Sequence, residues 1–286
     1  MLPPNGTNEK FAGDAPEVDY ALVGSVARLT INRPEQRNSM SVATMGQLVA
    51  GLRRADGESA CRVVVVTGAG EDAFCAGADI GDFQGGDRST ADLRDQYGAF
   101  LRLSEAALAM TKPTIAAVNG VALGGGCALS LLLDLTIASE NAQFGLPEIK
   151  LGLFPMIVLP MLTRTVGRKK AFEIVYFGAM IDAVEAERIE LINAAVPPTE
   201  LWQTVDKWAE RLSRLSGETL RLGREALIAM DGMSYVQALE YGRSIGSVVM
   251  ASPDAQEGVA AFFERRRPSW PSELSRDRKG IGHGVD

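Results

Sequence analysis

The sequence predicts an α/β core followed by an all-helical last third. Three observations carry this reading. Arg62–Thr67 (RVVVVT) and Thr114–Val118 (TIAAV) are continuous apolar runs closed by Gly68 and by Asn119–Gly120, the pattern of strands buried on both faces. Segments of helical spacing separate such strands as far as about residue 158. Beyond that point the strands stop and the remaining segments read as helices.

Taken in order, Val18–Leu22 and Val26–Ile31 alternate about Gly24–Ser25 and predict a β-hairpin. Ser41–Ala55 has helical spacing with Ser41 as its cap. Residues 81–91 are a polar, glycine-rich loop, and Leu93–Met110 is an amphipathic helix stopped by Lys112–Pro113. Gly124–Gly126 opens a short apolar helix through Leu133, and Leu135–Ala138 returns to strand. Helices follow at Lys169–Phe177, Ala183–Leu191, Glu200–Arg214, Glu218–Met230, Ser234–Met250 and Asp254–Arg266. Residues 1–16, rich in Pro, Gly and Asn, are expected to be poorly ordered, and Pro268–Asp286 reads as a loose, charged tail. The expected organisation is therefore an N-terminal stretch 1–16, a core 17–198, a helical region 199–270 and a tail 271–286.

Composition narrows the function. The formal net charge is −7 and no segment carries a basic stripe, which excludes a nucleic-acid surface. Arg265–Arg266–Arg267 reads as a solvated helix end. The longest apolar stretch, Ala128–Ala138, is broken by Asp134 and is too short for a membrane span. The opening MLPPNGTNEK lacks the basic-then-apolar pattern of a secretory signal. Cys61, Cys75 and Cys127 fit neither a zinc pattern nor a disulfide framework and read as core residues of a reducing, cytoplasmic setting. The single histidine, His283, lies in the tail, so a histidine-based triad or zinc site has no base or ligand, and no metal is expected. Catalysis must run on carboxylates, backbone dipoles or tyrosines.

The segment Asn119–Cys127 (NGVALGGGC) points to backbone chemistry. A strand ends, three glycines follow and a helix starts, so free N–H groups meet a closely approaching ligand. Such a turn binds a phosphate or an oxyanion, or simply packs a helix tightly. No Lys–Ser/Thr pair follows the glycines and their spacing is not G-x-G-x-x-G, so the P-loop and dinucleotide readings fail. A second small-residue turn, Phe74–Ile80 (FCAGADI), follows the RVVVVTG strand. Two such turns on neighbouring strands can aim two N–H groups at one oxygen.

From about residue 18 to 270 the chain resembles the crotonase (enoyl-CoA hydratase/isomerase) family. The matching segments are Asn32–Pro34 with Arg37–Ser39, TGAGEDAFCAGADI (67–80), KPTIAAVNGVALGGG (112–126), DLTIASENAQFGLPEIKLGL (134–153), GRKKA (167–171) and EGVAAFFERR (257–266). The resemblance implies a crotonase-type spiral of ββα units with a helical C-terminal region that builds a homotrimer or a dimer of trimers. It implies an acyl-CoA thioester as substrate, with no cofactor beyond the coenzyme A that the substrate carries. The thioester oxygen would rest between the N–H groups of Ala78 and Gly125, which stabilise an enolate. Glu148 would be the acid/base group. Hydratases of the family usually carry a second glutamate two residues after the glycine turn, where this chain has Ala128. Some relatives place an aspartate where this chain has Met156, so Ala128 and Met156 become pocket wall. Arg37, Ala76, Asp79 and Ile80 would touch CoA, and Phe262 and Arg265 would touch the CoA of a neighbouring subunit. A lone glutamate favours double-bond isomerisation over hydration. The alternatives are a thioester hydrolase or decarboxylase with the same oxyanion turn, or an acyl-CoA-binding homologue of little activity.

Overall fold

The structure, a computed structural model, describes residues 16–79 and 90–273. The N-terminal stretch up to residue 15, Ile80, the loop through residue 89 and the tail beyond 273 with His283 lie outside the described residues.

The expected hairpin forms from β1 (Val18–Val23) and β2 (Val26–Ile31). Helix α1 (Val42–Gly57) follows, and its start obeys the capping rule. Ser41 Oγ accepts the Thr44 N–H at 3.0 Å, while Thr44 Oγ1 accepts the Ser41 N–H at 3.1 Å. Such a cap contributes about 1 kcal/mol.

Three units of identical plan come next. A strand of a large sheet is followed by a short strand of a small sheet and then by a helix or turn. They are β3 (Val63–Gly68), β4 (Ala73–Cys75) and α2 (Thr90–Leu108); β5 (Thr114–Val118), β6 (Val121–Leu123) and α3 (Gly125–Leu132); and β7 (Leu135–Ser139), β8 (Gln143–Gly145) and a 3-10 turn, Pro147–Leu151. Helices α4 (Leu159–Thr165) and α5 (Gly167–Phe177) lead to β9 (Met180–Asp182), α6 (Ala183–Arg188) and β10 (Ala194–Val196). The large sheet runs β1-β2-β3-β5-β7-β10, parallel beyond the hairpin, and the small sheet runs β4-β6-β8-β9. Each ββ unit crosses from one sheet to the other, which is the expected spiral.

Alternation along the large sheet explains why its strands are continuously apolar. Val64, Val66, Ala116 and Val118 face the main core with Leu29, Phe74, Leu103 and Phe144. Val63, Val65, Ile115 and Ala117 face the other side, where Leu201, Val205 and Ala209 of α7 (Leu201–Ser213) cover them. Helices α8 (Gly217–Met230), α9 (Tyr235–Met250) and α10 (Pro253–Glu264) complete the chain. A buried arginine ties this layer to the core. Arg224 of α8 donates from Nε to Asp134 at 2.9 Å, and its Nη groups reach the carbonyls of Ala107 and Leu108 in the last turn of α2 and of Met110 just beyond it. Cationic donors suit the free carbonyls of a helix end. No helix among the described residues is long and apolar enough to cross a membrane.

The structure corrects the sequence in several places. Strands do not stop near residue 158, because β9 and β10 continue the two sheets. At three residues each they are too short to show a period. Helix α4 was not among the expected elements. Pro160 sits in its first turn, where a missing N–H costs nothing. Helix α2 begins at Thr90, earlier than the expected Leu93. The first residues of the tail are also anchored. Ser272 donates to Asp254 from its N–H (2.9 Å) and hydroxyl (2.6 Å), and Glu273 pairs with Arg62.

Candidate active site

Both small-residue turns lie where a large-sheet strand has just passed to the small sheet, and packing brings them together. Gly126, at the start of α3, lies so close to the end of β4 that a Cβ there would fall inside the van der Waals radius of the Cys75 carbonyl. A Cβ on Gly125 would sit 3.6 Å from the Ala78 nitrogen, and one on Gly77 would sit 3.7 Å from the Gly125 nitrogen. Gly77 has φ +107°, which an L side chain rarely adopts.

The direction of the two N–H groups follows from hydrogen bonding. Met40 forms a single parallel bridge with Ala78. The Met40 N–H donates to the Gly77 carbonyl (2.8 Å), and the Asp79 N–H donates to the Met40 carbonyl (3.1 Å). In extended backbone successive N–H groups point to opposite sides, so the Ala78 N–H points away from Met40. Gly125 is the first residue of α3. The first bond closing that helix runs from the Ala128 N–H to the Gly124 carbonyl, so the Gly125 N–H is one of the helix's free donors.

Glu148 stands on the 3-10 turn after β8. One carboxylate oxygen, Oε1, lies against Gly124 (φ +50°), 3.0 Å from the place a Cβ would occupy. The other, Oε2, is buried and accepts no hydrogen bond among the described residues. Loss of water raises the Glu148 pKa above the ordinary carboxylate value, offset by a bond from its own backbone N–H. Burial, and secondarily the Glu148 charge, pushes the nearby Cys127 thiol up to about 12, so it stays protonated at neutral pH. Ala128 is fully buried on the same helix face as Gly124, four residues along. The site therefore combines two neighbouring backbone N–H groups, a helix N-terminus and one desolvated carboxyl group, a set suited to taking a proton from carbon beside a polarised carbonyl.

Not every expected residue joins this centre. Arg37 is exposed in the left-handed region beside it, and its carbonyl accepts the Ala76 N–H at 3.0 Å. The Asp79 carboxylate is engaged by Arg33 at 2.8 Å. Met156 is 64% exposed on the segment between the 3-10 turn and α4. Phe262 (78% exposed) and Arg265 lie on and at the end of α10, which packs with α8 and α9; the Phe262 ring meets Phe263 edge-on at 5.7 Å. Sequence reasoning missed Arg33 and Asn38. Arg33 also donates to the Ser39 carbonyl (2.6 Å), and Asn38 Nδ2 donates to the carbonyls of Ala69 (2.9 Å) and Ala73 (2.7 Å). They hold residues 33–40 against β4, and the available signal was an asparagine in the RNS segment suited to its φ of 55°.

The model of the enoyl-CoA hydratase/isomerase family matches residues 22–273. The chain belongs to this family. A probable enoyl-CoA hydratase of Rhizobium meliloti is 38% identical over 245 residues, covering 85% of this chain and 93% of that protein. The 2,3-dehydroadipyl-CoA hydratase of Escherichia coli is 36% identical over 248 residues, covering 86% and 94%. The crystal structure of an enoyl-CoA hydratase from Bacillus anthracis superposes with a TM-score of 0.84 at 33% identity, covering 89% of this chain and 98% of that one. Membership accounts for the two-sheet spiral and for the glycine turns at its centre.

Proposed function

We propose that the protein is an acyl-CoA enzyme that shifts a double bond in enoyl thioesters through an enolate. The thioester oxygen is held between the N–H groups of Ala78 and Gly125, which acidifies the α-carbon. Glu148 takes a proton from Cα of a 3-enoyl-CoA, and the electron pair passes into the carbonyl as an enolate. The protonated Glu148 returns that proton to Cγ, leaving a conjugated 2-enoyl-CoA and a regenerated carboxylate. The observation that carries this reading is Glu148, the one carboxyl group set against the glycine turn among the described residues, with the buried methyl of Ala128 on the facing helix. Addition of water is better served by two carboxyl groups, one orienting water and one delivering the proton. Hydration is the second reading, favoured by the names of the relatives. Product analysis decides. A 3-enoyl-CoA should give mainly 2-enoyl-CoA, faster than a 2-enoyl-CoA gives the 3-hydroxy product. The reverse ranking would overturn isomerisation and leave hydration. CoA is expected near Arg37 and Ala76, and the enzyme is expected to be cytoplasmic.

The helical C-terminal layer supports an oligomer, read here as a homotrimer or a dimer of trimers. Helix α9 has no buried residue, and its Tyr235, Val236, Leu239, Val248 and Met250 are exposed. A groove of about 520 Å³ beside it is lined by apolar side chains including Val249, Val259, Phe262, Phe263 and Trp270. Apolar surface of this extent marks an interaction face. Light scattering at micromolar concentration is expected to give three or six chains, and a stable monomer would overturn the reading.

A further inference from the structure

The two proposed donors are set on separate turns of the spiral, and something must fix the gap between them. Met40 is the residue that touches both. Its backbone bonds to the residues on either side of Ala78, through the Gly77 carbonyl at 2.8 Å and the Asp79 N–H at 3.1 Å. Its side chain, 2% exposed, ends against the other turn: Cε lies 3.2 Å from the position of a Cβ on Gly125. The Met40 backbone is itself braced, since Arg33 holds both the Ser39 carbonyl and the Asp79 carboxylate. A buried thioether thus spans from the Ala78 strand to the first residue of α3.

We infer that Met40 is the positioning residue that sets the separation of the Ala78 and Gly125 N–H groups, and so the grip on the thioester oxygen. The inference rests on the reading of these two groups as the oxyanion donors. The Met40 side chain ends against the first residue of α3, and shortening it lets the start of α3 settle toward the Ala78 strand. Displacements of about 1 Å in such a site cost on the order of 10²-fold in rate.

The test uses a chromophoric thioester, dimethylaminocinnamoyl-CoA, whose absorption moves to longer wavelength as its carbonyl is polarised. In Met40→Ala the red shift of the bound thioester should fall, with a loss of kcat of about 10²-fold and little change in KM. The pH-rate limb set by Glu148 should stay in place. Met40→Leu, which conserves volume, should keep most of the red shift and of kcat. If the alanine protein does not fold, Met40→Val removes the same Sδ–Cε end and should behave as predicted for alanine. A folded alanine or valine variant with the wild-type red shift and kcat overturns the inference. So does a variant whose KM rises in step with its loss of kcat, which marks general damage to the site. A wild-type protein that binds the probe with no red shift at all sinks the oxyanion reading itself, a different outcome from either.

Discussion

Glu148→Gln is expected to lower kcat by about 10²- to 10⁴-fold, the range of general acid–base catalysis, while thioester binding survives. The amide keeps size and shape but neither takes nor returns a proton. Wild-type activity should rise with pH along a limb that lies above the ordinary carboxylate value, because burial raises the Glu148 pKa, and the variant should lack that limb. Stability should move the opposite way. A carboxyl group that holds its proton more tightly folded than unfolded contributes stability below its unfolded pKa, and that contribution is lost as pH rises through the folded value. Above its raised pKa the wild type keeps a desolvated carboxylate that the glutamine variant lacks, so Glu148→Gln should melt higher there. A variant both inactive and less stable would instead indicate a structural role. The companion change, Ala128→Glu, restores a carboxylate pair on facing elements. It should raise the share of hydrated product from a 2-enoyl-CoA, and the second charge should split the two pKa values, leaving an acid and a base near neutrality. Burying that charge will cost stability, since Ala128 is fully buried. If Glu148→Gln keeps the wild-type rate, the proton carrier lies elsewhere and Asp79, Asp82 and Glu140 become the candidates.

Gly126→Ala should be the most destabilising Gly→Ala change among the described residues. The added Cβ would meet the carbonyl oxygen, the carbonyl carbon and the Cβ of Cys75, all buried, and backbone cannot rotate aside as a side chain can. Overpacking costs about 1–3 kcal/mol where side chains can adjust, and more where they cannot. At about 2–4 °C per kcal/mol for a chain of this size, the midpoint should drop by roughly 6–12 °C or more. Gly46→Ala is the control. Gly46 lies exposed within α1 with nothing within 4 Å of its would-be Cβ, so alanine there should be neutral or stabilising, by up to about 1 kcal/mol. Equal midpoints for the two variants would show that α3 is free to draw back from β4.

The parts of this fold that were legible in the sequence share a physical cause. The hairpin, α1, β3 and β5 each run long enough for a period or an unbroken apolar run to show, and the structure places all four close to the expected bounds. The small sheet was illegible because its strands are three residues long, as in Ala73–Cys75 and Val121–Leu123, and three residues carry no period. The site divides in the same way. Glycine clustering marked the turn at Gly125, but only family resemblance attached a role to Ala78 or Glu148. Resemblance alone places Asp79 against CoA, and its ion pair with Arg33, 46 positions away in the chain, leaves no local signal. Met40 left no trace at all, since a methionine followed by a helix cap reads as ordinary core.

One feature of this centre bears on how such a chain changes over generations. Both proposed donors are main-chain N–H groups, which the genetic code can erase only by writing proline or by breaking the turn. The proton carrier is a side chain, which one nucleotide can rewrite. Drift therefore acts unequally: the capacity to hold an enolate persists through substitutions that discard or relocate the acid. Ala128 fits this asymmetry, a buried position without a carboxylate just after the turn that carries one of the proposed donors. A lineage built on this plan can lose one reaction and acquire another without ever giving up the intermediate they share.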